Sequence, residues 1–299
     1  MNYPNIILIP TEGFCNRLRA MASAYILANH LKSKFFIVWE KEECCYCDLH
    51  DIFSNNFETI DLKFILNSKY FYSPQTHTNA IMHRLHEFDN IVIKGGHEFK
   101  HPDIPVVSFL KQKQQFYQSL IFSDKVNQVM NDYDFDMSEC VGIHFRDYLP
   151  KYDALDNRDF SQISPIESFM ELIKKLYTTN AKTKFFISSN TDKAIKHIRE
   201  LIPKENIYTM DNIDTSRNTS IGVIHAVANL VYLSRCKYII GTLMSSYSDE
   251  ACFFNLISKI CIGNEEKTLY HCHGYAEIFN YKMLLPNLNI LYDMYKEEA

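Results

Sequence analysis

The chain has 299 residues, of which 46% are hydrophobic and 22% are charged, and its formal net charge is −5. This composition is ordinary for a globular protein, and the length fits two domains. The negative net charge excludes a broad basic surface for nucleic acid, so an anionic ligand would need a local cationic pocket.

The cysteines and the apolar segments bear on the cellular compartment. Nine cysteines are scattered along the chain, several of them in predicted core segments, which favours a reducing compartment. The N-terminus lacks the basic segment of a signal peptide, and no stretch approaches the roughly 20 apolar residues that a membrane span needs. We therefore predict a soluble, cytoplasmic protein without a membrane span.

The first half of the chain begins with a strand–loop–helix–strand pattern. Asn5–Pro10 is a short apolar run typical of a buried strand, residues 17–31 have helical spacing of apolar side chains, and residues 35–39 form the next strand. Parallel strands joined by a crossover helix explain this order most simply. Further along, we predict strands at residues 59–64 and 90–94 and one helix at residues 109–130.

The second half alternates strands and helices more regularly. We predict strands at residues 141–145, 184–188, 206–210, 238–242 and 259–263, and helices at residues 165–177, 192–202, 222–233 and 249–257. Such alternation indicates a doubly wound α/β domain. We therefore predict a first domain over residues 1–135, a second over residues 136–275, and a C-terminal helix over residues 276–299 that packs back on the first domain.

Polar side chains follow the predicted strands, where open α/β sheets bind their ligands. Arg146 and Asp147 come directly after one strand, and His144 lies just inside it. The other candidates that follow strands are Asn16, Arg17, Ser188, Ser189, Asn190, Ser245, Ser246 and Ser248. Hydroxyls and backbone N–H groups at a helix N-terminus bind anions, and the arginine fork matches phosphate oxygens. No glycine-rich nucleotide motif follows a strand, so the pattern predicts a phosphate-bearing ligand held by Arg and Ser.

Each of these residues also has a structural interpretation. Arg146 could pair with Asp147 or Asp156, and Ser245 could act only as a helix cap, a position that serine favours. Asn16 and Arg17 could simply begin the first helix. Both interpretations remain open from the residues alone.

Three segments in this order and spacing resemble the fucosyltransferase superfamily, which includes the α1,6-, α1,2- and protein-O-fucosyltransferases. They are GFCNRLRAMASAYILANHL, VGIHFRD and NLVYLSRCKYIIGTLMSSYSDEA. The superfamily shares a Gly-x-x-Asn-Arg/Gln loop near the start, a His-x-Arg motif on the first strand of the C-terminal domain and a late serine-rich segment. The resemblance covers most of both halves and is thin across residues 42–130.

The resemblance implies a GT-B enzyme with two Rossmann-like domains facing across a cleft. It implies inverting transfer of fucose from GDP-fucose to a hydroxyl of a glycan or glycoconjugate, without an obligatory metal or other cofactor. Arg146 would stabilise the leaving diphosphate, His144 would orient the nucleotide, and Asn16 and Arg17 would face the donor. The remaining donor-binding residues would be Ser188, Ser189, Asn190, Asn229, Ser245, Ser246 and Ser248.

The sequence departs from the superfamily pattern at two functional positions. Asp147 stands where the α1,6 and α1,2 groups carry a second arginine, and Asn229 stands where an aspartate contacts guanine. Asp147 and Asp153 are the nearest acids that could accept the proton of the acceptor hydroxyl. The departures leave open a transferase for another nucleotide sugar, or a nucleotide-sugar or glycan-binding protein without turnover.

A cysteine-rich segment suggests zinc at first sight. Cys44, Cys45 and Cys47 lie near His50, and residues 271–273 read His-Cys-His. The segment contains one Cys-x2-Cys pair and the later segment lacks its own, whereas a structural zinc site needs four ligands. We therefore predict reduced cysteines and no metal.

Overall fold

The computed structural model of the protein describes residues 4–65, 71–73, 85, 88–133, 135–147, 159–243, 245–263 and 282–284. The chain divides into two compact units. Unit 1 comprises Met1–Asp132 and Ser216–Val227, and unit 2 comprises Tyr133–Thr215 and Ala228–Ala299. No described helix combines the length and apolar character that a membrane crossing requires.

Unit 1 contains a four-stranded parallel sheet. Its strands are β1 (Asn5–Pro10), β2 (Phe35–Ile37), β3 (Phe71–Ser73) and β4 (Asn90–Gly95), arranged in the order β2-β1-β4-β3. β1 is buried along almost its whole length, as its apolar run predicts. The predicted opening of a parallel sheet with a crossover helix is therefore confirmed.

The described helices of unit 1 are α1 (Phe14–Leu31), α2 (Leu49–Ile52), α3 (Val106–Gln118) and α4 (Asp124–Asn131). The prediction of one helix over residues 109–130 is wrong, because the chain turns after α3 and the Ser123 hydroxyl caps α4 by accepting from the Val126 N–H at 3.4 Å. The predicted strand over residues 59–64 is also wrong. The Asp61 carboxylate accepts from the Lys63 N–H and starts a 3₁₀ turn over Leu62–Phe64.

Unit 2 contains a six-stranded parallel sheet that carries the candidate site. Its strands are β5 (Cys140–Phe145), β6 (Lys184–Ser189), β7 (Ile207–Tyr208), β8 (Tyr238–Thr242), β9 (Lys259–Ile262) and β10 (Lys282–Leu284), in the order β10-β9-β8-β5-β6-β7. The chain builds the sheet outward from β5 on one side and then resumes at β8 on the other side. The strand order therefore reverses between β5 and β8, which is where such sheets bind ligands.

The described helices of unit 2 are α5 (Phe160–Ile163), α6 (Ile166–Thr179), α7 (Asp192–Leu201), the second half of α8 (Ser220–Ser234), which begins in unit 1, and α9 (Ser246–Asn255). Apolar residues of β5, β6 and α6, including the fully buried Phe145, Phe169 and Phe185, form the core. The predicted α/β class with parallel sheets is thus confirmed.

Several predicted elements of unit 2 need correction, among them β7, which spans Ile207–Tyr208 and not residues 206–210. Pro165 is the N-cap of α6 and not its first residue, because its ψ of 139° is not helical. The Ser164 hydroxyl, predicted as the cap, donates to the Ile262 carbonyl on β9. α9 begins at Ser246, three residues before the predicted start at Asp249. Lys282–Leu284 pairs with β9 as a strand instead of forming part of a C-terminal helix, and the rest of that predicted helix lies outside the described residues.

Candidate functional site

The ends of β5, β6 and β8 bring the predicted site residues of unit 2 together. His144 lies opposite Ser188 on β6 and opposite Gly241 on β8. Arg146 follows β5, and Ser245 follows β8 as the N-cap of α9. We call this set of strand ends the β5/β8 edge. His144, Arg146 and Ser245, which are far apart in sequence, therefore belong to one edge of the sheet.

A buried threonine ties the two central strand ends to each other. The Thr242 hydroxyl accepts from the Arg146 N–H at 2.9 Å and donates to the His144 carbonyl at 3.3 Å. The Arg146 guanidinium carbon lies 3.9 Å from the centroid of the buried Phe160 ring. A cation held over an aromatic face has a defined orientation. Arg146 is therefore a half-buried, oriented cation at the β5/β8 edge.

Asp147, which follows β5, and Asn190, which follows β6, are joined by two hydrogen bonds. The Asp147 N–H donates to the Asn190 side-chain carbonyl at 2.8 Å, and the Asn190 amide donates to the Asp147 carbonyl at 3.1 Å. The Asp147 carboxylate accepts from the Thr191 hydroxyl at 3.3 Å and lies 4.0 Å from the Lys193 ammonium. Asn190 thus acts in the fold by joining two strand ends. Asp153, the other predicted base, lies outside the described residues.

The first turn of α9 presents hydroxyl and N–H groups beside β8. Ser245 is fully buried, and its Oγ has no hydrogen-bond partner in the described part of the chain. The Ser248 hydroxyl donates to the Ser245 carbonyl at 3.3 Å, while Ser246 is half-buried. An unpartnered hydroxyl beside the positive end of a helix is suited to an anion.

A glycine allows α9 to approach the sheet this closely. A Cβ atom at Gly241 would lie 2.8 Å from the Ser248 Oγ and 2.9 Å from the Lys259 Cε. Any larger residue would push the helix away from β8. The position of the α9 N-terminus therefore depends on Gly241.

His144 is buried in a neutral state at the same edge. Its ring stacks on Tyr247 with centroids 4.9 Å apart, and only 6% of the residue is exposed. Burial, with smaller contributions from the Lys259 and Arg146 charges, lowers the pKa of His144 to about 3. Its Nδ1 has no partner among the residues that the structure describes. A neutral imidazole nitrogen of this kind can bond to a ligand.

A buried ion pair beneath the edge is a feature that the sequence did not reveal. The Lys259 ammonium is completely buried and donates to the Asp249 carboxylate at 2.5 Å and to the Thr242 carbonyl at 3.4 Å. Burial disfavours the charge of Lys259, but the Asp249 carboxylate outweighs this and raises the pKa of Lys259 above its ordinary value. The pair joins β9, α9 and β8. The only sequence signal was a lysine at the start of an apolar strand.

The other predicted site residues of unit 2 differ in whether their polar side-chain atoms already have hydrogen-bond partners. Ser189 Oγ accepts from the Thr191 N–H at 3.2 Å and belongs to the turn before α7. Ser188 is buried at the end of β6. Asn229 on α8 is 5% exposed, and its Oδ1 finds no partner within the described ranges. Asn229 therefore retains a buried acceptor that a ligand could satisfy.

Arg17 in unit 1 is bound within its own unit. The side chain is fully buried and donates to the Glu12 carbonyl at 2.8 Å, the Glu40 carbonyl at 2.6 Å and the Glu42 carboxylate at 2.7 Å. Its guanidinium carbon also lies 4.8 Å from the Trp39 ring centroid. These contacts connect the loop after β1 to the segment after β2, so they favour a structural role for Arg17.

The loop after β1 has a second feature, at Glu12. This residue has φ of 67°, a left-handed conformation that is uncommon outside glycine, and its exposed carboxylate accepts from the Asn16 amide at 2.5 Å. The Arg19 guanidinium in turn donates to the side-chain oxygen Oδ1 of Asn16. Gly96 packs under the loop, because a Cβ there would lie 2.7 Å from the Thr11 carbonyl oxygen. Sequence reasoning missed Glu12, since backbone conformation is not readable from a single acidic residue.

The cysteine-rich segment lies in unit 1, where burial raises the pKa values of its thiols. Cys45 and Cys47 are buried, and burial raises the pKa of Cys45 to about 12. The Cys47 sulfur lies 3.4 Å from the Ser220 hydroxyl. Residues 271–273, which shared the zinc interpretation, lie outside the described residues.

Similar proteins are found among solved structures but not by comparison of sequences. No protein-family model and no curated protein matches the sequence. The structure of NodZ α1,6-fucosyltransferase soaked with GDP-fucose is similar, with a TM-score of 0.57 and 13% identity over 84% of this chain and 92% of that chain. The structure of NodZ from Bradyrhizobium gives a TM-score of 0.56 and 14% identity over 83% of this chain and 92% of that chain.

A plant structure is similar to the same extent. A mutant of Arabidopsis thaliana FUT1 in complex with GDP has a TM-score of 0.59 and 11% identity, over 86% of this chain and 70% of that chain. At these identities the comparison establishes the fold and leaves function to the site. The chain therefore has a fucosyltransferase-like fold, as the three sequence segments led us to expect.

Proposed function

We propose that the protein is an inverting, metal-independent fucosyltransferase that moves fucose from GDP-fucose to a glycan hydroxyl, with its two units arranged as in GT-B enzymes. The observation that carries this proposal is the β5/β8 edge. There, an oriented arginine lies at the strand-order reversal beside a helix N-terminus with an unpartnered serine hydroxyl. Among the solved structures of similar fold, a NodZ crystal was soaked with GDP-fucose and the plant protein is in complex with GDP, which supports a GDP-sugar donor.

Arg146 is proposed to act on the leaving diphosphate. When the bond between sugar and diphosphate breaks, negative charge develops on the phosphate oxygens. A guanidinium already fixed over Phe160 stabilises that charge without reorganising, and a single well-placed donor of this kind lowers the barrier by roughly 3–4 kcal/mol. Arginine thus supplies the positive charge that a metal supplies in other transferases.

Ser245, Ser246 and His144 are proposed to bind the diphosphate and the adjoining nucleotide. The Ser245 hydroxyl and the first N–H groups of α9 are donors, which suits phosphate oxygens. His144 is neutral, so it contributes a directional hydrogen bond and not a second full charge. Thr242, Lys259 and Asp249 act through these residues by holding the strand ends and α9 in place.

The base that accepts the proton of the acceptor hydroxyl is assigned to Asp147 or Asp153. The Asp147 carboxylate is half-buried next to the end of β5 and accepts a hydrogen bond from Thr191. Variants Asp147→Asn and Asp153→Asn separate the two candidates, because loss of the base lowers kcat far more than it changes the affinity for GDP.

Asn229 and Ser188 are proposed to contact the base and sugar of the nucleotide, and Asn16 is proposed to face the donor from unit 1. An amide oxygen at position 229 can accept from one guanine N–H, whereas a carboxylate accepts from two with charge assistance. Guanine recognition by this chain is therefore expected to be weaker than recognition through an aspartate. This expectation motivates an alternative, a transferase for another nucleotide sugar.

Binding of GDP, UDP and dTDP, measured as a shift in the thermal unfolding midpoint, tests the identity of the base. We expect GDP to raise Tm more than UDP or dTDP at equal concentration, because ligands stabilise the state that they bind. An equal or larger shift with UDP would replace the guanine assignment by the alternative donor.

Turnover separates the enzyme from a second candidate, a nucleotide-sugar or glycan-binding protein on the same fold. The Asp147 and Asn229 departures favour this candidate. Incubation with GDP-fucose and a glycan panel, followed by mass spectrometry, should show GDP release and a fucosylated product. Tight GDP-fucose binding with neither hydrolysis nor transfer across the panel would support the binding protein instead.

A further inference from the structure

The loop that follows β4 is held against α1 in a fixed register. The Ser23 hydroxyl, fully buried in α1, accepts from the Phe99 N–H at 3.1 Å. His30 follows Ser23 at i + 7, which is about two helical turns further along the same face. The loop therefore passes the last turn of α1 at a defined position.

Three potential metal ligands meet where this loop passes His30. The His30 and His101 ring centroids lie 4.8 Å apart, and the His101 Nδ1 lies 3.6 Å from the Asp103 carboxylate. One ligand atom from each of the three side chains can be chosen so that all lie within 4.8 Å of one another. Within the described part of the chain, no other group of His, Cys, Asp and Glu side chains is gathered in this way.

Backbone contacts and burial fix the turn that contains His101 and Asp103. The Ile104 N–H donates to the His101 carbonyl at 3.0 Å, which closes a tight turn and keeps Asp103 beside the His101 ring. His101 is 6% exposed, so its ring is fixed, whereas His30 and Asp103 are exposed and can adjust. One rigid and two adjustable ligands allow the set to contract around an ion.

The chemistry of the set favours zinc over harder ions. Two imidazoles and one carboxylate are ligands that Zn²⁺ accepts, with bonds of about 2.0–2.2 Å, and a tetrahedral ion leaves a fourth position for water. The Asp103 N–H donates to His101 Nδ1 at 3.3 Å, so this nitrogen carries no proton, as a metal ligand requires. This bond is long, and a metal–nitrogen bond would replace it. The carbonyl end of α1 adds negative potential near the ion.

We propose that His30, His101 and Asp103 form a Zn²⁺ site that joins the end of α1 to the loop after β4. All three residues belong to unit 1, and none belongs to the β5/β8 edge. The proposal therefore does not depend on the proposed transferase activity. The bound ion would stabilise unit 1 by linking its first helix to the loop before α3.

Calorimetric titration of the full chain with ZnCl2 tests the site. We expect one site in the wild type and at least tenfold weaker binding in His30→Gln and in Asp103→Asn. Both changes are at exposed positions, which protects the fold. The matched control is His197→Gln, an exposed histidine on α7 of unit 2, which should bind Zn²⁺ as the wild type does.

The chain has 12 histidines and 9 cysteines, so zinc could also bind elsewhere. Substitution of Co²⁺ for Zn²⁺ identifies the ligands by their absorption spectrum. Nitrogen and oxygen ligands give visible ligand-field bands without the intense near-ultraviolet charge transfer of thiolates. We expect such bands in the wild type and their loss in His30→Gln. Wild-type zinc affinity in both His30→Gln and Asp103→Asn, or a thiolate spectrum that persists in them, would overturn the proposal.

Discussion

Arg17 in unit 1 and Arg146 in unit 2 both lie near the carboxyl end of the first strand of a parallel sheet, but the two units use them differently. Arg17 is fully buried, and its donors bond to backbone and side-chain groups of unit 1. Arg146 lies half-buried over Phe160, and the same β5/β8 edge contains buried atoms of His144 and Ser245 that lack partners among the described residues.

The presence or absence of bonding partners separates Arg17, which stabilises the fold, from the β5/β8 edge, which is a candidate for ligand binding. A buried polar atom without a partner costs about 1–3 kcal/mol, and native proteins rarely retain several such atoms at one place without a purpose. A side chain whose hydrogen bonds are complete gains nothing from a ligand. The β5/β8 edge is therefore the stronger candidate for the diphosphate, and the loop after β1 is the stronger candidate for a structural element.

The largest expected effect is on catalysis, in Arg146→Ala. Loss of the guanidinium removes charge stabilisation of the leaving diphosphate, so kcat/KM for GDP-fucose should fall by a factor on the order of 10²–10³. Arg146→Lys keeps the charge without the planar fork and should recover a part of the rate. GDP release measured under initial-rate conditions checks the prediction, and a rate within twofold of wild type in Arg146→Ala would refute it.

The next effect is on stability, in Arg17→Ala. This change removes a buried cation that three groups of unit 1 accept from, so the free energy of unfolding should fall by about 3 kcal/mol. The half-buried Arg146→Ala serves as the matched comparison and should lose less than about 1 kcal/mol. Urea unfolding measures both values. Equal losses would remove the distinction between the two arginines.

The sequence predicted the strands of both sheets better than it predicted the hydrogen bonds and ion pairs of their side chains. Apolar runs such as Tyr238–Thr242 have the predicted bounds because burial of consecutive residues leaves a clear pattern. The break between α3 and α4 was missed because it depends on the Ser123 cap, a single residue within an otherwise helical pattern. The partnership of Lys259 with Asp249 was missed because a lysine at the start of an apolar strand does not show which carboxylate the fold brings to it.

The lowered pKa of His144 should make the free energy of unfolding depend on pH. Its pKa is about 3 in the folded protein and 6.5 in the unfolded chain, so only the unfolded chain gains a proton as the pH falls between these values. The free energy of unfolding should therefore decrease by up to about 1.4 kcal/mol per pH unit below 6.5 from this residue. His144→Gln cannot take up the proton and should show a shallower loss in urea unfolding across this window. An unchanged slope would show that His144 is not buried as a neutral residue.

The smallest effects are expected at two buried serines, Ser123 and Ser245, which are the N-caps of α4 and α9. The Ser123 hydroxyl donates to the Asp51 carbonyl and accepts from the Val126 N–H, whereas the Ser245 hydroxyl has no partner in the described ranges. Ser123→Ala should cost about 1 kcal/mol of stability and leave GDP binding unchanged. Ser245→Ala removes a buried hydroxyl without a partner, so it should leave stability unchanged or raise it, and it should weaken GDP binding by roughly three- to tenfold. Calorimetry with GDP and urea unfolding together measure the contrast, which the reverse pattern would contradict.

A crystal structure of the protein with bound GDP tests the central claim most directly. We predict that the diphosphate lies at the β5/β8 edge, within hydrogen-bonding distance of the Arg146 guanidinium and the Ser245 hydroxyl, with Arg17 still bonded to Glu12, Glu40 and Glu42. A diphosphate bound to Arg17, with the Ser245 hydroxyl and His144 Nδ1 left without partners, would contradict it.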